Sequence, residues 1–165
     1  MSPKLDKLEV LLSLSAEVAS NRDLHTILIK LTEITRMLLG ADRCGIFLHD
    51  SEREQLWTIV ADGVDEIRIP DDKGIAGHIL RTNEPLNIED VYEHPKFDRK
   101  VDKETGYRTR SMLAMPMADI TGKVIGVFQA INKQDGVFDR EDEDLLRHLS
   151  LYAGAEIESA MLYDK

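Results

Sequence analysis

Apolar residues recur at helical spacing in three parts of the chain. The first stripe, over residues 5–20, consists of Leu5, Leu8, Leu12 and Val18. The second predicts a helix over residues 24–39, with Asp23 as its N-cap and Gly40 as its C-terminal stop. The third follows Asp139, which occupies an N-cap position. Its apolar positions are Leu145, Leu146, Leu149, Ala153, Ile157, Ala160 and Met161. Such helices can cover a sheet of their own subunit or form the seam of a dimer.

Six shorter segments predict β-strands. They are residues 43–50, 55–62, 67–69, 86–88, 111–118 and 124–132. In the last strand Val127 and Gln129 alternate with Phe128 and Ala130, so both of its faces are largely apolar. A strand of this kind is expected to be covered on both sides.

Two connections between these strands are candidates for ligand contact. A short helix opens with Gly74-Ile75-Ala76-Gly77 and ends near Thr82, with Asn83 as a left-handed cap. Its first backbone N–H groups suit an anion, although many helices begin in this way without a ligand. Residues 89–110 form a long, polar and irregular segment, which is typical of a lid or binding loop. Within it, Asp102 could also cap a short helix that runs to Gly106.

Composition narrows the class of protein. The chain has 165 residues, of which 42% are hydrophobic and 32% charged, as expected of one globular domain. Its net charge of −10 argues against binding to nucleic acid or to an anionic membrane. No apolar run is long enough to cross a membrane, and the first residues lack the apolar core of a signal peptide. Cys44 is the single cysteine, so we expect a reducing, cytoplasmic environment.

Several ordered motifs carry a family resemblance. Asn132-Lys133, Phe138 and Asp142-Glu143 have the spacing of the Asn-Lys…Phe-x-x-x-Asp-Glu signature of GAF domains. In particular, the chain resembles the cyclic-nucleotide-binding GAF domains of phosphodiesterases and of some bacterial adenylyl cyclases. The likeness also covers CGIFLHD at 44–50, EIRIP at 66–70, KGIAGHI at 73–79, LNIEDVYEHPKF at 86–97, TGYRTRSML at 105–113 and VIGVFQAINK at 124–133.

The resemblance implies an α+β GAF fold, which is PAS-like and has an antiparallel sheet of about six strands flanked by helices on both faces. The terminal helices would cover one face of the sheet, and a ligand pocket would lie on the other. We expect residues 1–22 to form an N-terminal signalling or dimerisation helix. Residues 23–165 would form the GAF domain, including its C-terminal helix.

The resemblance also implies a pocket for a cyclic nucleotide, cAMP or cGMP. The ligand-binding positions would be Gly45, Ala61, Asp62, Ile75, Ala76, Asp98, Asp102, Thr105, Thr109 and Gln129. Backbone N–H groups of Ile75 and Ala76 would hold the cyclic phosphate. The hydroxyl groups of Thr105 and Thr109 would bond the ligand, and the Gln129 amide would face the purine.

These positions also have plain structural interpretations. Gln129 could be a core amide bonded to the backbone, and the two threonines could be solvated. Ala61 stands where some binders have an aromatic ring against the base, and Gly45 stands where a hydroxyl residue can touch it. Loss of the aromatic surface would weaken binding by on the order of 1 kcal/mol. Trp57 could refill that space or belong to the core.

The signature residues are interpreted as scaffold. The resemblance implies a structural salt bridge between Lys133 and Asp142, with Asn132, Phe138 and Glu143 around it. The five histidines and Cys44 show no metal-like spacing, and Cys44 is interpreted as a buried thiol. We therefore expect no metal site, no required cofactor and no enzymatic activity.

The sequence thus predicts a cytoplasmic regulatory sensor that binds a cyclic nucleotide and signals through its terminal helices to an output domain or protein. The alternatives are a dimerisation or scaffold module with a vestigial pocket, and a sensor of another small molecule. The dimerisation or scaffold alternative predicts a homodimer through the terminal helices. The sensor hypothesis is compatible with the same homodimer.

Overall fold

The computed structural model describes residues 23–59 and 66–163. The predicted helix over residues 5–20, the proposed boundary at residue 22 and the predicted end of the second strand at residues 60–62 lie outside these ranges. No helix within the described ranges combines the length and apolar character needed to cross a membrane.

Four α-helices, one short 3₁₀ helix and six strands make up this part of the chain. The helices are α1 (Leu24–Leu39), α2 (Gly74–Thr82), α3 (Lys100–Thr105) and α4 (Arg140–Tyr163), with the 3₁₀ helix at Val91–Glu93. The strands are β1 (Ala41–Asp50), β2 (Gln55–Ile59), β3 (Glu66–Pro70), β4 (Leu86–Ile88), β5 (Met112–Ala118) and β6 (Val124–Lys133). They form one antiparallel sheet in the order β3-β2-β1-β6-β5-β4.

Each face of this sheet carries its own apolar cluster. On one face, α1 and α4 pack over buried residues that include Ile46, Met115 and Phe128. On the other, α2 packs over residues that include Ala114 and Val127. The prediction of six antiparallel strands with helices on both faces is therefore confirmed. Trp57 packs on the face of α1 and α4, in agreement with the core interpretation.

The helix ends follow local signals in the sequence. Asp23 accepts a hydrogen bond from the Thr26 N–H at the start of α1, and Gly40 ends that helix with a left-handed φ of 63°. Asp139 Oδ1 accepts the Asp142 N–H at 2.9 Å, and Asp142 Oδ2 accepts the Asp139 N–H at 3.0 Å. This reciprocal pair fixes the beginning of α4.

Two predictions about these elements were wrong. Met161 belongs to the predicted apolar stripe of α4 but is 37% exposed, whereas its neighbour Ala160 is 2% exposed, so Met161 lies off the buried face of the helix. The segment 89–110 is not irregular throughout, since it contains the 3₁₀ helix at Val91–Glu93 and α3.

The signature residues lie together where β6 passes into α4. Lys133 Nζ lies 3.0 Å from Asp142 Oδ2 and donates to the Leu39 carbonyl at 2.6 Å. Asn132, with a left-handed φ of 58°, accepts the N–H groups of Arg110 and Ser111 through Oδ1. This junction therefore ties the end of the 89–110 segment to the core.

Two further signature residues complete that junction. Phe138 is 3% exposed, and its carbonyl accepts a hydrogen bond from Asn87 Nδ2 at 2.8 Å. The same amide group lies 3.4 Å from Glu143 Oε2. Strand β4, which carries Asn87, is thereby held to the start of α4.

Candidate functional site

The face of the sheet beneath α2 contains a polar side chain next to open space. Gly45 on β1 and Ala114 on β5 are the cross-strand neighbours of Gln129 on β6. Directly opposed residues share a face of the sheet, so these three lie on the face covered by α2. A Cβ atom added to Gly45 would meet no heavy atom of the described residues within 4 Å.

Gln129 is 7% exposed and lies on an otherwise apolar face. Among the described residues, no hydrogen bond to its side-chain amide is found. Buried amide groups almost always have a partner, which can be protein, water or a ligand. Gln129 and the space above Gly45 therefore define a candidate binding pocket.

The start of α2 supplies backbone donors on the same side of the sheet. Ile75 and Ala76 are 3% and 4% exposed and belong to the cluster on this face. Helix geometry leaves the first N–H groups without an intrahelical acceptor, and Lys73 at the N-cap provides no side-chain cap. A Cβ atom at Gly77 would lie 2.7 Å from the Asp72 backbone carbon, so the chain can turn tightly into this helix.

Asp98 lies beside the start of α2. A Cβ atom at Gly74 would come 4.0 Å from the Asp98 Cβ atom. Asp98 Oδ1 accepts the Lys100 N–H at 3.0 Å, which orders the chain just before α3. The structure thus brings the 89–110 segment next to the first turn of α2.

Asp102 and Thr109 bond to each other. The Thr109 N–H donates to Asp102 Oδ2 at 2.8 Å, and the Thr109 hydroxyl donates to Asp102 Oδ1 at 2.7 Å. The Tyr92 hydroxyl also donates to Asp102 Oδ2, at 2.6 Å. Burial acts to raise the pKa of Asp102, but these hydrogen bonds outweigh it and hold that pKa below its usual range.

The prediction that Asp102 caps a short helix was wrong. Helix α3 begins at Lys100, with Arg99 at its N-cap, so Asp102 lies inside the first turn. Its carboxylate accepts hydrogen bonds from Tyr92 and Thr109. Sequence spacing alone could not show these partners. The predicted end at Gly106 agrees with the structure, where Gly106 has a left-handed φ of 75°.

The remaining predicted site residues are only partly described. Ala61 and Asp62 fall in the range 60–65, outside the description. Thr105 is the last residue of α3, but its side chain is not among the described parts of the structure. Tyr92 was not predicted as a site residue; its position beside Asp102 depends on the fold and leaves no local signal in the sequence.

The Cys44 thiol on β1 is poorly suited to act as a nucleophile. Burial raises the pKa of the Cys44 thiol to about 12, so the thiolate needed of a nucleophile is disfavoured. Within residues 23–59 and 66–163, no group of three or more His, Cys, Asp or Glu side chains could hold a metal ion.

His94 makes the stability of the 89–110 segment sensitive to pH. Its Nδ1 accepts the Lys96 N–H at 3.1 Å, and its ring centroid lies 6.1 Å from that of His78. Burial, and then the positive charges of His78 and Lys96, lower the pKa of His94 below the usual 6.5. The neutral ring is therefore favoured by folding, and this stabilisation is present above pH 6.5 and lost as the pH falls below it.

We expect the melting temperature to fall more for the wild-type protein than for His94→Gln when the pH is lowered from about 7.5 to 5.5. Melting curves at several pH values measure this difference. The control is His148→Gln, at an exposed position of α4, which should keep the wild-type dependence. Equal pH dependence in the wild type and His94→Gln would refute this role of His94.

A comparison with protein families identifies the family to which this fold belongs. The GAF domain family model matches residues 23–157. The chain belongs to the GAF domain family.

Curated relatives place it within that family. It is 40% identical, over 156 residues and 86% of this chain, to the probable 3′,5′-cyclic phosphodiesterase pde-5 of Caenorhabditis elegans. It is 33% identical, over 98% of this chain, to the dual 3′,5′-cyclic-AMP and -GMP phosphodiesterase 11 of Drosophila melanogaster. The chain spans only 21% and 12% of these two proteins, respectively.

Solved structures agree on the fold. The GAF domain of a phosphoenolpyruvate-protein phosphotransferase from Coxiella burnetii matches with a TM-score of 0.86 at 22% identity, over 99% of both chains. A free methionine-R-sulfoxide reductase from Neisseria meningitidis matches with a TM-score of 0.77 at 21% identity, over 99% of this chain and 95% of that one.

Proposed function

We propose that this domain is a non-catalytic sensor that binds a cyclic nucleotide, cAMP or cGMP, between α2 and the sheet. The observation that carries this proposal is Gln129, a polar side chain that is 7% exposed and has no hydrogen bond in the described part of the chain, beside the open space at Gly45. Relatives named as cyclic phosphodiesterases, one of them dual for cAMP and cGMP, support this choice of ligand.

The proposed contacts follow from chemistry. The Gln129 amide can both donate and accept, so it can pair with the edge of either purine. The first N–H groups of α2, at Ile75 and Ala76, would hold the cyclic phosphate. Because the chain carries a net charge of −10, an anion must be held by such local donors.

Strand β6 offers a route from the ligand to the terminal helices. Gln129 lies on the pocket face, whereas its neighbours Phe128 and Ala130 pack in the cluster of α1 and α4. The strand then continues through the Lys133–Asp142 pair into α4. A ligand that favours one position of β6 would shift the population of positions of α4.

A dimerisation module is the second candidate. Leu151 and Met161 on α4 are 66% and 37% exposed, and Met37 on α1 is 62% exposed. A homodimer through these two helices would bury these apolar side chains. The sensor proposal does not exclude such a dimer, but a dimer without any nucleotide effect would favour the scaffold.

Thermal unfolding with and without about 1 mM cAMP or cGMP, with 5′-AMP as control, tests the sensor. A dissociation constant of about 10 μM would stabilise the domain by about 2.7 kcal/mol at that concentration. The melting temperature should then rise by about 5–10 °C with one cyclic nucleotide and not with 5′-AMP.

A variant pair locates the effect. Gln129→Leu should abolish or greatly reduce the shift, whereas Gln134→Leu, in the exposed turn after β6, should keep it. No shift with either nucleotide, on folded and ligand-free wild-type protein, would refute a cyclic-nucleotide site of this affinity. Light scattering on the same samples would then measure the oligomeric state. A dimer would support the dimerisation module, and a monomer would refute it.

A further inference from the structure

A second concave site lies at the 3₁₀ helix and α3. It is a cleft of about 330 Å³ lined by Tyr92, Arg99, Asp102, Lys103, Gly106, Tyr107 and Arg108. We call it the Tyr92 cleft. Its size is near the lower end of the range for small-molecule sites, which is about 300–1,000 Å³. Gln129 and Gly45 are not among its lining residues, whereas Asp102, one of the nucleotide-binding positions that the resemblance implies, is. The cleft therefore lies beside the proposed nucleotide pocket and has its own set of cations.

The charge of the Tyr92 cleft is opposite to that of the protein. Arg99, Lys103 and Arg108 line it in a chain whose net charge is −10. In the part of the chain that the structure describes, none of these cations has a carboxylate partner within 4.0 Å. Elsewhere the chain pairs its arginines readily, as with Arg68 and Asp50 at 3.2 Å. The three cations are therefore available to a ligand.

The acidic groups near the cleft are already satisfied. Asp102 accepts hydrogen bonds from the Tyr92 hydroxyl and from both donors of Thr109. Asp42, outside the cleft, accepts the Tyr107 hydroxyl. Both carboxylates thus have hydrogen-bond donors of their own, and Arg108 acts on Asp102 through its charge, which also lowers the pKa of Asp102.

The Tyr92 ring makes cation–π contacts with the guanidinium groups of Arg99 and Arg108. The Arg99 and Arg108 carbons Cζ lie 5.1 Å and 4.1 Å from the centroid of its ring. Arg99 also donates to the Tyr92 carbonyl at 2.6 Å. A guanidinium that is already oriented loses little conformational freedom on binding, and its planar set of donors matches the oxygens of a phosphate group.

We propose that the Tyr92 cleft binds a small phosphate-bearing anion through Arg99, Arg108 and Lys103. The ligand class is a phosphate monoester or inorganic phosphate, since two arginines and a lysine match a compact dianion and the cleft has room for a small molecule. Binding here stabilises the 89–110 segment, because Tyr92 is bonded to Asp102, which in turn holds Thr109. The proposal does not depend on a nucleotide in the other pocket.

Nuclear magnetic resonance on the ¹⁵N-labelled chain tests this site without any nucleotide. Inorganic phosphate and glycerol 2-phosphate are titrated at constant ionic strength, with chloride as the replaced anion. We expect saturable shifts of the backbone amides of residues 92 and 99–108, with a dissociation constant in the millimolar range or below. Stronger binding of glycerol 2-phosphate would identify a monoester as the ligand, and stronger binding of phosphate would identify the free ion.

Three variants make the test specific. Arg108→Gln and Lys103→Gln, at exposed positions, should each weaken binding at least tenfold while the spectrum stays folded. Arg81→Gln, at an exposed arginine on α2, should leave it unchanged. Shifts that rise linearly without saturation, saturable binding that survives both cleft variants, or shifts confined to residues 74–77 would each overturn the proposal. The last outcome would instead place the anion at the nucleotide pocket.

Discussion

Replacement of Asp142 with alanine lowers the free energy of unfolding by about 3 kcal/mol. The Asp142 residue is 3% exposed, and its carboxylate holds both Lys133 Nζ and the Asp139 N–H. Without it, the Lys133 ammonium, whose side chain is 19% exposed, keeps the Leu39 carbonyl and the Phe138 ring, whose centroid is 5.9 Å away, but no carboxylate among the described residues. An unpaired charge in a largely buried position costs several kcal/mol, and a lost helix cap adds about 1 kcal/mol. Because Lys133 is partly exposed, the combined destabilisation is reduced to about 3 kcal/mol.

Urea unfolding measures this effect, and two further variants show its origin. Asp144→Ala removes a carboxylate from an exposed i,i+3 pair with Arg147 on the same helix and should change stability by less than about 0.5 kcal/mol. The double variant Lys133→Met, Asp142→Leu should recover part of the loss, because it leaves no unpaired charge. If Asp142→Ala is no less stable than Asp144→Ala, the pair contributes nothing to the fold.

The ends of α1, the start of α4 and the two faces of β6 were predictable, because the sequence signals that set them are local. Asp23 and Gly40 mark the two ends of α1 by chemistry that acts within one helical turn. Asp139 marks the start of α4 in the same way. The alternation along β6 shows which of its residues face each layer, since the period of a strand is fixed by its geometry.

The candidate site depended on pairing between distant segments. The proximity of Gly45 and Gln129 follows from the register of β1 against β6. The family resemblance placed both residues in one pocket, whereas the alternation within each strand shows only which face a residue lies on. The partners of Asp102 were missed for a related reason. Tyr92 and Thr109 reach it only because the 89–110 segment folds back on itself through two short helices. The same folding brings Arg99 and Arg108 to one aromatic ring and creates the Tyr92 cleft.

A methyl group added at Gly154 on α4 should lower the free energy of unfolding by about 2 kcal/mol, although alanine is the better helix former. The substitution gains about 1 kcal/mol of helix propensity. However, a Cβ atom at Gly154 would collide with the carbonyl oxygen of Ala118, the last residue of β5. Overpacking costs about 1–3 kcal/mol and occasionally more, and a backbone carbonyl in a paired strand cannot turn aside as a side chain can. The collision therefore outweighs the gain in propensity.

The same chemical change at Gly45 provides the matched control. A Cβ atom there meets nothing within 4 Å in residues 23–59 and 66–163, so Gly45→Ala should leave the fold intact or stabilise it by up to about 1 kcal/mol. Urea unfolding of both variants compares them directly. A Gly154→Ala domain as stable as the wild type would mean that α4 can move away from β5 at no cost. The close approach at Ala118 would then not fix the helix on the sheet. If Gly154→Ala is destabilised and Gly45→Ala is not, the face of the sheet that α4 covers is closely packed, whereas the face with the candidate pocket has room for a methyl group.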